Sequence, residues 1–507
     1  MARTPLVQQL QRAAAEAAAT QATTTRRTFL AGAGAAAALA AWPVRPAFSA
    51  SAQPRIVVVG AGLAGLTAAY RLQNAGYAPV VHEASSRAGG RCWSIRGAFA
   101  DSRQVAEHGG ELIDTGHTQM RQLVQELGLD TDNLLQAEQN GTEALYRFDG
   151  EPYTYAQATE DLKQIWQQIH KDVSAASYPT LYNLSTERGR ELDAMSVAEW
   201  IDAYVPGGHG SKLGQLLDVA YNIEYGAECT EQSSLNMLYL IGYSGQGNLR
   251  LFGPSNEKFH VRGGNDQVAA RLAAKVPVTY GSELVAITDN KDGTHALAFR
   301  QGTTTRTVVA DRVVLTVPFS ILRSSVDLSR SGFSKLKLRA IRELGMGTNS
   351  KLNVGFSTRH WRALGNNGDT YADTGYQATW EVSRAQPGTS GILVDYTGGR
   401  IGAALTGDPV ALARTFVKQL DPVLPGIKDR FDGHAVLDHW PSYRWTKGSY
   451  SYWKVGQYTA FAGAEREASG TCHFAGEHTS VDFQGYLNGA VESGERAASE
   501  VLAALKK

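Results

Sequence analysis

The chain has 507 residues, and its 49 basic and 49 acidic side chains give a formal net charge of zero. It has no basic block and no interleaving of aromatic and basic residues, which argues against a nucleic-acid-binding surface. A chain of this length exceeds one compact core, so two closely packed domains are expected. Cys92, Cys229 and Cys472 have no metal-site spacing and cannot form a disulfide framework. They are expected to be small, buried apolar side chains.

Residues 1–52 are predicted to lie outside the fold. The run from Thr25 to Leu30, TRRTFL, and the weakly apolar stretch 31–41 resemble a bacterial twin-arginine export signal. The stretch is too short for a stable membrane span, and Ala50-Ser51-Ala52 offers a cleavage site that would start the mature chain at Gln53. Export to the periplasm or the medium is therefore expected. A disordered tail with a chance arginine pair is the alternative.

A nucleotide-binding turn follows this tail. The β-branched run Ile56–Val59 predicts a buried parallel strand, and Leu66–Ala75 predicts a helix. Between them, Gly60, Gly62 and Gly65 have the spacing G-x-G-x-x-G. Such glycines permit a tight turn, let the main chain approach a pyrophosphate and let the helix pack closely on the strand. The order of strand, glycines and helix predicts a dinucleotide site.

The next two segments indicate which dinucleotide binds. A short strand, Pro79–His82, ends at Glu83, about 20 residues after the first glycine, where such a unit places the acid that holds a ribose. Arg87–Arg91 then has the sequence RAGGR. This segment resembles the R-x-G-G-R segment of glutathione-reductase-like flavoproteins, above all the flavin amine oxidases. The resemblance implies FAD, with Gly90 and Arg91 against its diphosphate; a glycine-rich loop with solvated arginines is the alternative.

The middle of the chain predicts a second domain interleaved with the first. Residues 140–245 are rich in helical periodicity, and a capping box begins one helix at Ser196. Phe259–Ala270 and Arg312–Pro318 return to the patterns of the nucleotide-binding domain. Residues 345–465 are rich in Trp, Tyr, Gly and strand patterns, which predicts a sheet that floors a substrate cavity.

Two further segments extend the resemblance to flavin amine oxidases, the group of monoamine, polyamine and L-amino-acid oxidases, over roughly residues 54–505. Glu107–Asp114 is similar to a family turn that leads to a strand under the flavin. The block from Cys472 to Arg496 resembles the C-terminal signature. In that family the pair matching Gly476 and Glu477 contacts FAD. The start of the last helix, near Gly485–Leu487, faces the isoalloxazine ring.

The expected fold is therefore α/β. It comprises an FAD-binding Rossmann-like domain of the glutathione-reductase type and an interleaved α+β substrate domain. The predicted divisions are 1–52 for the signal and tail; 53–115, 259–345 and 471–507 for the FAD-binding domain; 116–258 for the helical part of the substrate domain; and 346–470 for its sheet.

The resemblance also implies roles for catalytic positions in the interior of the chain. Lys351 matches a family lysine that holds a water near flavin N5, which suits a site that handles reduced flavin and O2. A strand lysine that extends its ammonium to solvent is the alternative. Tyr450 and Tyr486 match two aromatic walls that flank the substrate amine. Ordinary core packing of both tyrosines is the alternative.

Trp440 and the segment Lys447–Tyr450 match a further family stretch. Monoamine oxidases have a cysteine in this stretch that is thioether-linked to the flavin. This chain has Ser449 there, which cannot form that bond, so the FAD is expected to be non-covalent. The resemblance implies that Trp440 is a catalytic-site residue.

The expected chemistry follows from the cofactor, because the sequence offers no Ser-His-Asp order, metal cluster or acid–base dyad. The resemblance implies that a small-molecule amine or amino acid loses a hydride equivalent to give an imine, while O2 becomes H2O2. The imine then hydrolyses to ammonia and an aldehyde or oxo acid. The oligomeric state is left open, with a homodimer among the possibilities.

The substrate is harder to assign. L-Amino-acid oxidases place an arginine after the Gly-Gly turn to pair with the carboxylate, whereas this chain has Glu111. An arginine from elsewhere, such as Arg250, Arg400 or Arg444, could replace it. Glu111 could instead bind a distal ammonium of a basic substrate, or be a solvated or capping residue. L-Amino acids are the favoured substrates, and primary amines or polyamines are the alternative; a flavoprotein desaturase and a non-catalytic FAD-binding protein are more distant.

Overall fold

The structure, a computed structural model, describes residues 53–242 and 251–506. The predicted export signal in 1–52 and the candidate Arg250 lie outside the described residues.

The nucleotide-binding sheet has five parallel strands. The helix Leu63–Asn74 follows the central strand and begins before the predicted Leu66, because Gly62 is already its N-cap residue. The last helix, Leu487–Leu505, packs so closely on it that a Cβ on Gly494 would stand 2.4 Å from the Ala64 carbonyl oxygen. In spatial order the strands of this sheet are Cys472–Phe474, Arg312–Leu315, Ile56–Val59, Val80–His82 and Val278–Thr279.

The substrate-domain sheet has seven strands, which are antiparallel except where Asn366–Ala372 pairs in parallel with Glu143–Phe148. Its outer two strands come from the segment expected to be helical. They form a hairpin whose turn residues, Asp149 and Gly150, have φ values of 55° and 73°. Asp-Gly between two apolar runs is a hairpin signal, so the sequence did contain this information. In order the strands are Phe431–His439, Ser350–Phe356, Gly391–Thr397, Ala378–Glu381, Asn366–Ala372, Glu143–Phe148 and Glu151–Tyr153.

Helices form the other part of the substrate domain, as expected from the periodicity of residues 140–245. The capping box at Ser196 is confirmed, with its hydroxyl accepting from the Glu199 N–H. From the end of the strand Glu151–Tyr153 to residue 242, the helices are Tyr155–Ala176, Glu187–Asp193, Val197–Tyr204, Lys212–Tyr225 and Ser234–Ile241.

A small four-stranded sheet adjoins the nucleotide-binding domain. Two of its strands are joined by the turn at Asp292-Gly293. The Gly109–Gly110 turn, by contrast, leads to no regular strand, and Ile113 makes a single bridge to Phe259. The small sheet is ordered Thr304–Ala310, His295–Gln301, Glu283–Asp289 and Asp327–Arg330.

The other elements are short. Three two-stranded ribbons pair Ser94–Arg96 with Val105–Glu107, Thr131–Asn133 with Phe259–Val261, and Gly345–Met346 with Ser451–Tyr452. The remaining α-helices are Thr118–Glu126, Asp266–Ala273, Phe319–Ser325, Lys335–Glu343, His360–Ala363, Gly399–Ala404, Pro409–Leu420 and Gln457–Phe461. Single 3-10 turns are Leu135–Ala137, Gly208–Gly210, Ile427–Arg430, Trp440–Ser442 and Glu477–Thr479.

Burial follows the expected pattern. All three cysteines are buried and unpaired, as predicted. Within the described part of the chain, no helix is long and apolar enough to cross a membrane. The same residues contain no cluster of three or more His, Cys, Asp or Glu side chains that could hold a metal ion.

Candidate active site

A cavity of about 340 Å³ lies between the two domains, at the carboxyl ends of the nucleotide-binding strands. Ligands of open α/β sheets bind at this edge. The cavity wall contains almost all of the predicted site residues: Gly60, Gly62, Glu83, Gly90, Arg91, Glu111, Lys351, Trp440, Tyr450, Gly476, Glu477 and Tyr486. Gly65 is the exception, because it lies inside the helix–strand contact.

The three glycines of the nucleotide-binding turn have different surroundings. A Cβ on Gly60 would stand 2.5 Å from the Thr316 hydroxyl oxygen, and Gly60 has φ +106°. A Cβ on Gly65 would stand 2.0 Å from the Gly60 carbonyl oxygen. A Cβ on Gly62 would meet nothing within 4 Å, because Gly62 faces the cavity at the start of the helix. The surface beside Gly62 therefore leaves room for a diphosphate at a helix N-terminus.

Glu83 lies next to this turn. Its carboxylate accepts hydrogen bonds from the main-chain N–H groups of Ala61, at 2.7 Å, and Ser85, at 2.8 Å. Gly89 and Gly90 have positive φ, and Gly89 forms a bridge with Gly62, so the second glycine pair lies against the first turn. These groups fit the ribose and diphosphate of FAD.

Arg91, which is half-buried, and Glu477, which is buried, form an ion pair in the cavity wall. The Arg91 guanidinium donates to Glu477 at 2.8 Å and to the Ser449 carbonyl at 2.7 Å. Glu477 also accepts from the Ser451 hydroxyl and the Gly485 N–H. Burial raises the pKa of Glu477, but the charge of Arg91 and the hydrogen bonds outweigh it and leave this pKa below its ordinary value. The pair ties the second glycine turn to the start of the last helix.

Lys351 and Glu111 form a second, buried ion pair. The Lys351 ammonium donates to Glu111 at 2.7 Å and to the Gly109 carbonyl at 3.3 Å, and both side chains are under a tenth exposed. The other Glu111 oxygen accepts from the Trp380 indole at 3.0 Å. Burial raises the pKa of Glu111, but Lys351 and these hydrogen bonds bring it below the ordinary value. Lys351 does not extend to solvent. Each Glu111 oxygen already has one partner within the protein, Lys351 for one and Trp380 for the other, so Glu111 lies in the cavity wall as the counter-charge of Lys351.

The two predicted tyrosines line the cavity. The Tyr450 hydroxyl lies 2.9 Å from that of Tyr396 and donates to the Ile223 carbonyl at 3.1 Å. The Tyr486 hydroxyl donates to Glu224 at 2.9 Å. Burial raises the pKa of Tyr450 well above its ordinary value, so this hydroxyl is neutral. Both hydroxyl groups are held by neighbours, which fixes the ring orientations.

Trp440 and Ser449 lie beside these rings. The Trp440 indole donates to the His108 carbonyl at 3.0 Å, and its ring packs on Gly109, where a Cβ would stand 3.0 Å from it. Trp440 thus supports the Gly-Gly turn that presents Glu111. Ser449 is buried and donates to Asn349 at 2.6 Å.

Acidic residues of the cavity wall that escaped the sequence analysis include Glu224, Glu257 and Asp369, and also Glu283, which pairs with Arg300. The Glu257 side chain is exposed toward the cavity, and desolvation by the surrounding protein, followed by the nearby Asp114, raises its pKa to about 8. Burial raises the pKa of Asp369 to about 6, although Arg384 acts in the opposite direction. Asp369 and Tyr371 lie two residues apart in the strand Asn366–Ala372 and therefore on the same face, a pattern that is visible in the sequence. Glu257 lies in a loop and had no such signal.

Of the proposed substitutes for a carboxylate-binding arginine, the two that the structure describes do not line the cavity. Arg400 is 87% exposed and pairs with Glu228. Arg444 is 69% exposed and pairs with Glu283. Among the residues that the structure describes, Arg91 and Lys351 are the Lys and Arg side chains of the cavity wall, and each already faces a carboxylate.

Comparisons with known proteins agree with this geometry. The model of the family of flavin-containing amine oxidoreductases matches residues 63–502. An L-amino acid dehydrogenase of Synechocystis is 24% identical over 89% of this chain and 95% of its own length. An amine oxidase B of Sus scrofa is 24% identical over 89% and 86%. A putrescine oxidase structure with bound putrescine has a TM-score of 0.75 at 21% identity and covers 89% of this chain and 99% of its own. Its likeness confirms the α/β fold.

Proposed function

The chain belongs to the family of flavin-containing amine oxidoreductases, and we propose that it is an FAD-dependent oxidase of amines that carry a second positive charge. The net reaction would be RCH2NH2 + O2 + H2O → RCHO + NH3 + H2O2. When bound, FAD supplies the acceptor for the two electrons of the C–N bond and passes them to O2. The protein supplies binding, orientation and exclusion of water.

Each part of the cavity wall has a task in this proposal. The turn at Gly62 and the Glu83 carboxylate would hold the diphosphate and a ribose. Tyr450 and Tyr486 would place the reacting amine between two ring faces, with their hydroxyl groups already engaged. Lys351 would hold a positive charge at the reacting side of the cavity, and Glu111 keeps that ammonium paired.

The substrate assignment rests on the acidic wall, the part of the cavity lining formed by Glu224, Glu257 and Asp369. Glu257 and Asp369 line the cavity, and the Glu257 carboxylate accepts no hydrogen bond from the described residues. One Asp369 oxygen, Oδ1, is buried without a partner. An approaching cation favours the ionised forms of both groups and so lowers their raised pKa values. A substrate with a second ammonium would satisfy this wall, whereas a substrate carboxylate would be repelled by it.

L-Amino acids with a basic side chain are the second candidate. One relative is named as an L-amino acid dehydrogenase. Arg250, which lies outside the described residues, is close in sequence to Phe252, a cavity-wall residue. An arginine there would supply the missing partner for a carboxylate, and the acidic wall would still take the side-chain ammonium.

Four compounds with one carbon skeleton separate these candidates. Cadaverine and L-lysine carry the second ammonium; pentylamine and L-norleucine lack it; and each amine is the decarboxylated form of an amino acid in the set. The measurement is anaerobic bleaching of the yellow protein, with H2O2 and ammonia assayed after air is admitted. We expect cadaverine to bleach the flavin at concentrations at least about tenfold lower than pentylamine requires.

Other outcomes have definite meanings. Bleaching by L-lysine but not by cadaverine would establish the second candidate and bring Arg250 forward. Equal bleaching by pentylamine and cadaverine would refute the role of the acidic wall. A flavin that none of the four bleaches would refute both candidate substrate classes.

Two further features belong to the proposal. FAD would be held without a covalent bond, because Ser449 stands at the position matching the cysteine of monoamine oxidases. The segment around Arg26 and Arg27 would direct export by the twin-arginine route. Changing both arginines to lysine should leave the protein inside the cell, and export of that variant at the parent level would count against this route.

A further inference from the structure

The loop that carries Glu257 has an unusual backbone. Glu257 has φ +47°, a left-handed conformation that residues other than glycine, asparagine and aspartate rarely adopt. Its side chain lies in the cavity wall. A non-glycine residue in this conformation needs surrounding contacts that hold it there.

Asp114 supplies those contacts. Its carboxylate is 2% exposed and accepts from the main-chain N–H groups of Asn256, at 2.9 Å, and Glu257, at 2.7 Å. It also accepts from the Ser255 hydroxyl at 2.8 Å. One carboxylate therefore binds three consecutive residues, and the last of them is the one with positive φ.

Asp114 lies on the same short segment as Glu111, just after the Gly109–Gly110 turn. Glu111 binds Lys351 at one end of this segment, and Asp114 binds the Glu257 loop at the other. The segment thus connects the part of the cavity that holds Lys351 to the acidic wall.

We propose that Asp114 is a positioning residue for substrate selection, because it holds the 255–257 turn so that Glu257 faces the cavity and meets the second positive charge of the substrate. This inference rests on the proposed function. It assigns to Asp114 an effect on which amine is preferred, in addition to the stability that any buried, well-bonded carboxylate contributes.

Asp193 offers a matched control. It is also fully buried, and it accepts from the main-chain N–H and hydroxyl of Thr459, at 2.8 and 2.7 Å, and from the Tyr458 N–H at 3.3 Å. Asp193 and the loop it binds lie outside the cavity wall, whereas Asp114 and Ser255 are part of it. Asp193→Asn should therefore weaken the fold in a similar way without changing substrate preference. Because Asp114 lines the cavity, additive losses in the Asp114→Asn, Glu257→Gln double variant would mean that Asp114 acts on the substrate directly and would overturn the positioning role.

The test measures kcat/KM for cadaverine and for pentylamine in the FAD-loaded parent and in variants. We expect Glu257→Gln to lower the cadaverine-to-pentylamine ratio about tenfold or more, mainly through KM for cadaverine. Asp114→Asn should lower the same ratio to a similar extent, and the double variant should lose little more than either single variant. Ser255→Ala, which removes one of the hydrogen bonds to Asp114, should lower the cadaverine-to-pentylamine ratio by a smaller factor. This variant tests the same role if Asp114→Asn folds poorly.

Several results would overturn the inference. An unchanged ratio in both Asp114→Asn and Ser255→Ala, beside a lowered ratio in Glu257→Gln, would mean that Glu257 faces the cavity without Asp114. An equal loss in Asp193→Asn would make the effect one of general stability. A parent that prefers cadaverine with a Glu257→Gln variant that keeps the preference would refute this inference and leave the proposed function intact, whereas a parent without the preference would refute the proposed function itself.

Discussion

The glycines of the nucleotide-binding turn allow binding and folding to be separated by two single substitutions. Gly62 has φ −73° and ψ 176°, which any residue adopts, and a Cβ there enters open space in the cavity wall. A Cβ on Gly65 would stand 2.0 Å from the Gly60 carbonyl oxygen and 3.1 Å from the Thr316 hydroxyl oxygen. Gly62→Ala thus adds a methyl group where the diphosphate would lie, whereas Gly65→Ala adds one inside the fold.

The two substitutions should differ in their effect on stability. Gly62→Ala should change the free energy of unfolding of the FAD-free protein by less than about 0.5 kcal/mol, because the restriction of the unfolded chain by alanine is offset by the poorer fit of alanine at the N-cap position. The added methyl should cost about 1–3 kcal/mol of FAD binding through overpacking, which is roughly a 5- to 150-fold loss of affinity. Gly65→Ala should lower the free energy of unfolding by about 1–3 kcal/mol or more, because helix and strand must separate.

The assay has two parts. Urea unfolding of the deflavinated variants gives the free energy of unfolding, and titration with FAD, followed by quenching of flavin fluorescence, gives the affinity. Parent-like FAD affinity in Gly62→Ala would refute the placement of the diphosphate at this helix N-terminus. A loss of FAD-free stability in Gly62→Ala equal to that in Gly65→Ala would refute the separation of their roles.

Three other predictions follow from single residues. Lys351→Met should slow reoxidation of the reduced flavin by O2 far more than it weakens FAD binding, and stopped-flow reoxidation at the parent rate would contradict its role. Acid precipitation should release the flavin into the supernatant, because Ser449 cannot form a thioether; yellow colour retained in the pellet would contradict non-covalent binding. Burial raises the pKa of Asp395 to about 8, so between about pH 4 and 8 the folded state holds a proton that the unfolded state has lost, and stability falls as pH rises through this window. Asp395→Asn should reduce the pH dependence of the free energy of unfolding by up to about 1.4 kcal/mol per pH unit. The measurement is Tm of the parent and the variant at pH 5 and pH 8. A decrease in Tm from pH 5 to pH 8 as large in the variant as in the parent would contradict this role of Asp395.

The sequence by itself determined the nucleotide-binding half of this protein. The strand, the glycine spacing and Glu83 follow one another within a single βαβ unit, where local geometry decides the structure. The last helix and the expected α/β class were predictable for the same reason, and the family comparisons confirm both the class and the enzyme family. Even the missed hairpin at Asp149-Gly150 carried a local signal.

Only the tertiary structure decided how the charges of the cavity are paired. Glu111 and Lys351 lie 240 residues apart in the chain, and Arg91 and Glu477 lie 386 residues apart. No local pattern shows that these groups meet, because a carboxylate in a loop is compatible with solvent, a cap, a substrate or a buried partner. The acidic wall is likewise assembled from a helix, a loop and a strand, and Glu257 faces the cavity only through a left-handed backbone held by Asp114. Local propensity sets the elements, but the long-range contacts of the folded chain decide which charges remain available to a substrate.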